Sequence, residues 1–264
     1  MWLALVMGNS RFHWGLCDRR SLLYRWDTPH LSPSEIDRIA SDWDKGTVPE
    51  FLLQELALNH HLSTVTLATL PLVLSSVVPA LTPLWTKYSQ TRILTLADLP
   101  LNNTYLTLGI DRALAVVGAG EHWGWPVLVI DGGTALTLTG ADRDRNLVGG
   151  AILPGLGLQI RALASQTGAL PQISLSQPLP PRWSQNTEDA IASGIWYVLL
   201  SGLQDFIQNW HESYPDSAII FTGGDGEILH ERVQQAYPQL SSYLHCDRDL
   251  VFRGYLALHD LEII

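Results

Sequence analysis

Val127-Leu-Val-Ile-Asp131-Gly-Gly-Thr-Ala-Leu-Thr-Leu-Thr-Gly140 carries the strongest structural signal in this chain. Four apolar residues predict a buried strand that ends on a carboxylate. A Gly-Gly-Thr turn follows, and the alternation of Leu136 and Leu138 predicts a returning strand. Such a turn suits a phosphate. Its glycines let an anion approach the backbone amides, Thr134 adds a hydroxyl, and Asp131 at the strand tip can hold a cation or its waters. The same pattern also describes an ordinary β-hairpin, so the turn needs support from elsewhere in the chain.

A degenerate second copy supplies that support. Trp2-Leu-Ala-Leu-Val-Met7 is another apolar run, followed by the turn Gly8-Asn9-Ser10 and the half-alternating strand Arg11-Phe-His-Trp-Gly-Leu-Cys17. Internal duplication is the reading. A third glycine turn, Thr222-Gly-Gly-Asp225, follows Ala218-Ile-Ile-Phe221, and Gly149-Gly-Ala-Ile-Leu-Pro-Gly155 opens a helix at Leu156. Glycine turns at several strand ends predict a nucleotide cleft between two related α/β lobes. The expected lobes are residues 1–118 and 119–264.

Composition is compatible with this. A chain of 264 residues with 46% hydrophobic and 16% charged residues can bury one large core or two modest ones. Met1-Trp-Leu-Ala-Leu-Val-Met7 is too short to span a membrane and breaks at Gly8, and no leader pattern is recognisable, so a cytoplasmic protein with no membrane partner is expected. The two cysteines, Cys17 and Cys246, form no framework and no metal-ligand spacing. A formal net charge of -10 and the lack of any Lys/Arg cluster argue against nucleic-acid binding.

Strands are expected near 2–7, 11–17, 21–26, 64–68, 92–96 and 127–130, with a helix opening at Ser32-Pro-Ser-Glu and a turn into a helix at Ser75–Trp85. Gly109-Ile-Asp-Arg112 opens a helix from Asp111 to about Trp123. There Asp111 either complements the helix dipole or acts as a base, and Arg112 either forms a surface pair or clamps an anion. Asn186-Thr187-Glu-Asp189 opens a long helix with an apolar stripe, Asn186 or Thr187 being its N-cap.

The ordered set Gly8-Asn-Ser10, Ser75-Ser-Val-Val-Pro79, Gly109-Ile-Asp-Arg112, Asp131-Gly-Gly-Thr-Ala135, Gly149–Gly155, Asn186-Thr187 and Thr222-Gly-Gly224 closely resembles the type III pantothenate kinases. The resemblance implies the actin-like ATPase fold, two duplicated ribonuclease-H-like lobes with ATP between them. It also implies a homodimer whose pantothenate sites lie near the subunit interface. The implied reaction is ATP-dependent phosphorylation of pantothenate to 4'-phosphopantothenate, the first step towards coenzyme A. By the same resemblance Asp111 is the catalytic base, and Asn102, Gly109, Ile110, Asp111, Arg112 and, from the partner subunit, Thr187 line the pantothenate site. The segment Val6-Met7-Gly8-Asn9-Ser10-Arg11-Phe12-His13 and Thr134 would contact ATP. Asp131 would hold a monovalent cation, K+ or NH4+, and Mg2+ would accompany ATP.

The chain departs from the family pattern in three places. Val6 stands where an aspartate is usual, His13 where a lysine is usual, and Asn102 where a substrate-contacting tyrosine is usual, with Tyr105 at a common proline position. These departures leave a second reading open: a weakly active or inactive pantothenate- or nucleotide-binding relative with a regulatory role.

Overall fold

The computed structural model describes residues 1–54, 67–175 and 178–260. The chain forms two compact units, divided between Gly118 and Ala119. Two segments cross that division: Asn102–Thr104 belongs with the second unit, and the chain from Val251 onward belongs with the first. The expectation that everything beyond residue 119 forms one lobe is therefore corrected at the C-terminal helix.

The first unit holds a five-stranded sheet made of β1 (Trp2–Met7), β2 (Phe12–Asp18), β3 (Ser21–Thr28), β4 (Leu72–Ser76) and β5 (Thr91–Ile93), in the order β3-β2-β1-β4-β5. The first three strands are antiparallel neighbours, while β4 and β5 run parallel to β1. The second unit repeats this with β6 (Val127–Gly132), β7 (Ala135–Ala141), β8 (Leu147–Pro154), β9 (Ala218–Thr222) and β10 (Leu244–Cys246), in the order β10-β9-β6-β7-β8. Written from its own third strand, this is the same topology. The duplication read from two glycine turns therefore extends to every strand of the sheet.

Alternation sets the faces. Leu3, Leu5 and Met7 of β1 join Phe12, Trp14 and Leu16 of β2 in a core sealed by helix α1 (Pro33–Asp44) through Ile36, Ala40 and Trp43. Ser32 starts α1 with a capping box: its hydroxyl accepts from the Glu35 amide at 3.3 Å and its amide donates to the Glu35 carboxylate at 2.7 Å. The opposite face of this sheet meets the last helix, α6 (Leu250–Asp260), where the Tyr255 hydroxyl donates to the Leu5 carbonyl at 2.9 Å. Burial pushes the Tyr255 phenol far up. Gly254 lets α6 touch helix α2 (Ile110–Trp123), because a Cβ there would collide with the Leu114 carbonyl oxygen.

In the second unit Leu128 and Ile130 of β6, Leu136 and Leu138 of β7 and Phe221 of β9 pack against α3 (Leu156–Gln166), α4 (Thr187–Ser213) and α5 (Gly226–Ala236). The α4 helix is long and apolar enough to cross a membrane, but Ile191, Ile195, Trp196, Leu199, Leu203 and Ile207 bury its stripe in this core. Gly140 admits the Trp210 ring against β7, since a Cβ would overlap it.

Three local expectations change. The strand expected at 64–68 has residues 64–66 outside the described residues, while Leu67 and Ala68 are helical. The strand that joins β1 is instead Leu72–Ser76, drawn from the apolar run Leu70–Leu74, so Ser75 and Ser76 end a strand rather than begin a turn. The helix after it is a 3-10 helix, Thr82–Lys87, and the strand expected at 92–96 is only Thr91–Ile93.

Candidate active site

The first unit's turn begins where β1 hands over to β2. The Gly8 amide donates to the Arg11 carbonyl at 3.1 Å, the Val77 amide donates to the Met7 carbonyl at 3.0 Å, and His30 Nε2 donates to the Gly8 carbonyl at 2.8 Å. Asn9, Ser10 and Arg11 are exposed, so the turn presents polar groups to solvent. Within Val6–His13, the side chains of Val6, Met7 and Phe12 are buried among the strands. The turn and His13 are the accessible part. Beside this turn, β4 ends and the head of α2 begins.

Four neighbours build that helix head. Gly109 has no side chain, and a Cβ there would stand 2.5 Å from Asp111 Oδ1, so glycine leaves room for the carboxylate. Asp111 Oδ1 accepts from the Arg112 amide at 2.8 Å, satisfying one of the unpaired donors of the first turn. Burial pushes the Asp111 carboxyl above the ordinary aspartate range, while the Arg112 amide, the Arg112 guanidinium and His13 pull the other way. Arg112 is only 8% exposed, and its Nη1 donates to the Tyr105 hydroxyl at 3.1 Å. Ile110, between Gly109 and Asp111, is buried. An acid held above its usual range beside a buried guanidinium can take a proton while the cation holds an anionic substrate.

Tyr105 is the residue that sequence reasoning missed. Its position reads as an exposed loop, and nothing in the one-dimensional spacing shows its hydroxyl reaching Arg112 seven residues on. Asn102, expected to touch substrate, lies in the second unit. There its amide donates to the Arg145 carbonyl at 2.8 Å and its side-chain Nδ2 to the Asp144 carbonyl at 3.1 Å, so it braces the β7–β8 hairpin.

The second unit's turn, Gly132-Gly133-Thr134, is packed on glycines. The Gly133 amide donates to the Ala135 carbonyl, and the Gly155 amide to the Thr134 carbonyl, both at 3.0 Å. A Cβ on Gly155 would strike the Gly133 carbonyl oxygen. At the end of β9, Gly223 adopts φ +83°, and a Cβ there would collide with Asp131 Oδ1 and stand 2.5 Å from the Gly132 carbonyl oxygen. The Asp131 carboxylate and the Gly132 carbonyl thus pack directly against Gly223, which brings the end of β9 close to the tip of β6. Asp225 lies against the same floor, its amide donating to the Gly132 carbonyl at 2.8 Å. It occupies the N-cap position of α5 without capping it by side chain, and burial pushes its carboxyl up. Thr134 is exposed. Among the described residues there is no group of three or more His, Cys, Asp or Glu that could hold a metal ion.

Thr187 begins α4, where Asn186 accepts from the Asp189 amide at 2.9 Å as N-cap. Ala169, Pro171 and Asn186–Asp189 line an open depression of about 580 Å3 there.

A β3-β2-β1-β4-β5 unit present twice, with a glycine turn at the same strand corner of each copy, is the fold of the actin-like ATPases and their kinase relatives. Solved structures agree at the level of fold. A conserved Campylobacter jejuni protein assigned to the Baf family of transcriptional activators superposes with a TM-score of 0.63 at 18% identity, covering 98% of both chains. Component A of (R)-2-hydroxyglutaryl-CoA dehydratase from Acidaminococcus fermentans superposes at 0.55 with 12% identity, covering 98% of this chain and 95% of the other. The family model for type III pantothenate kinase matches residues 2–209. The type III pantothenate kinase of Nostoc sp. is 47% identical over 255 residues, which is 96% of this chain and 92% of that protein. That of Synechocystis sp. is 44% identical over 260 residues, covering 98% and 90%. The chain belongs to the type III pantothenate kinase family, and with it to the phosphotransferases.

Proposed function

We propose that the head of α2 is where pantothenate is deprotonated and held, with the Gly8 turn of the same unit offering its amides to ATP. Asp111 accepts the proton of the pantothenate hydroxymethyl group as that oxygen attacks the γ-phosphorus. Arg112 pairs with the pantothenate carboxylate or the incoming phosphoryl oxygens, and Tyr105 holds Arg112 in place. The observation that carries this reading is the Gly109–Asp111 contact: the chain gives up a side chain at one position to seat a half-buried carboxylate two residues on, in the first turn of α2. Phosphoryl transfer draws most of its acceleration from positioning and charge neutralisation, and a base adds about 100- to 10,000-fold.

In the second unit Thr134 and the amides around Gly133 serve the phosphates. Asp131, at the tip of β6 beside this turn, would hold a monovalent cation, which supplies positive charge beside the moving phosphoryl group. Mg2+ would be carried chiefly by ATP oxygens and water. Thr187, exposed at the head of α4, is read as a pantothenate contact across a homodimer interface. A soluble protein of the cytoplasm is the matching compartment.

Val6 supports the second reading, a weakly active binding relative, because its buried apolar side chain stands where the family pattern has an acid. A coupled ADP-release assay separates the two readings. With pantothenate and Mg-ATP present, turnover in potassium should exceed turnover in sodium, and Asp131→Asn should narrow the difference. Pantothenate binding without ADP release at millimolar ATP would establish the binding relative instead.

A further inference from the structure

The register of the first sheet sets Val6, His13 and Asp27 abreast, Val6 opposite His13 on β2 and His13 opposite Asp27 on β3. Cross-strand partners share a face, so these three side chains form one row beside the Gly8 turn. His13 Nδ1 lies 2.8 Å from Asp27 Oδ1. A carboxylate only accepts, so Nδ1 carries the hydrogen and the neutral ring keeps its lone pair on Nε2. Nε2 faces the turn, 3.5 Å from where a Gly8 Cβ would stand.

We propose that Asp27 is a positioning residue which holds His13 Nε2 at the triphosphate, and that His13 takes up a proton when ATP binds. The inference rests on the kinase reading, in which the Gly8 turn receives ATP. A neutral Nε2 would aim a lone pair at phosphate oxygens, which are acceptors themselves. Protonation turns that clash into a charge-assisted hydrogen bond, and Asp27 compensates the new charge from the other side of the ring. The proton comes from solvent, and no covalent bond changes.

Other charged groups face the same place. Asp111 and Arg112 stand at the head of α2, His30 binds the Gly8 carbonyl, and Arg11 lies on the turn itself. His30 is committed as a donor to a carbonyl, and Arg112 donates to the Tyr105 hydroxyl. The pair itself is half-exposed, with side-chain exposures of 42% and 45%, so as a stability device it is worth little. Its value lies in fixing one tautomer and one direction.

Titration calorimetry of the full chain with Mg2+ and an imido-bridged, non-hydrolysable ATP analogue tests this, run between pH 6.5 and 8.5 in two buffers of different ionisation enthalpy. Binding should be accompanied by uptake of up to about one proton per site, and affinity should fall by as much as ~10-fold per pH unit at the alkaline end. His13→Lys, which carries its charge permanently, should bind without proton uptake and with a flat pH profile. Asp27→Asn should lose most of the uptake and weaken binding roughly tenfold, whereas Asp111→Asn should keep the uptake. Analogue binding by the native chain with no net proton exchange overturns the inference and leaves the kinase reading standing, as would uptake that survives in His13→Lys. No analogue binding at all by the native chain brings down the ATP reading as well.

Discussion

Asp111 combines two demands that pull against each other. A base needs to be ionised at working pH, yet burial favours its neutral form and raises its pKa. The folded protein therefore binds that proton more tightly than the unfolded chain does. The corresponding stability is present at low pH and is lost as pH rises through the raised value, so at neutral pH the ionised group is a cost. Asp111→Asn should cut turnover by about 100-fold or more, while the melting temperature at pH 7 stays level or rises. A matching loss of both in assay and calorimetry would make Asp111 a helix cap and nothing further. In the native enzyme the acid limb of turnover should lie above the ordinary aspartate range. Tyr105→Phe removes one hydrogen bond to a buried guanidinium, so the Michaelis constant for pantothenate should rise about 2- to 10-fold with little change in turnover. Asp111, Arg112, Asp131 and the glycines were legible because each sits in a local spacing that has a chemical meaning. Tyr105, Asp225 and Asp27 were not, because their partners are set by loop closure and strand register.

At the scale of elements, period and punctuation went far. Apolar runs closed by Gly-Asn-Ser and Gly-Gly-Thr gave both hairpins, and Ser-Pro-Ser-Glu gave the start of α1 to the residue. The parallel strand β4 was misplaced because an apolar run flanked by prolines and serines carries no alternation to mark its register. The return of α6 to the first unit was also silent in the sequence, since an amphipathic helix does not say which sheet it will cover. What holds it there is Gly254. Gly254→Ala would press a methyl group onto the Leu114 carbonyl, and we expect a destabilisation of about 1–3 kcal/mol in denaturant melts, with the unstrained change Gly202→Ala costing far less. Equal melting of the two variants would remove the close contact from the account.

On the scale of the whole molecule, the exposed side of α4 is the surface on which we propose that a second copy docks. Val198 is 76% exposed and Phe206 47%, and between and beside them Gly194, Ser201 and Gly202 leave the backbone open to close approach. The buried stripe from Ile191 to Ile207 on the opposite side, about four turns long, anchors this helix already, so the outer stripe is open to a copy of itself. Light scattering at micromolar concentration should give twice 29.3 kDa, and Val198→Glu combined with Phe206→Glu should return the monomer. A monomeric native protein would end the homodimer proposal.

The ten tryptophans divide evenly between the units, but not in their surroundings. Trp2, Trp14, Trp26, Trp43 and Trp85 are all buried in the first unit, where Trp14 and Trp26 lie 5.9 Å apart and 8° from parallel, and Trp43 stacks on Tyr88 at 4.1 Å. In the second unit only Trp196 is fully enclosed, and Trp183 is open to water. Indoles held so close share their electronic excitations, and a twist between their in-plane transition dipoles then gives circular dichroism a couplet that isolated chromophores lack. The stacked cluster of the first unit therefore gives its packing an optical signature that can be followed by light without any label.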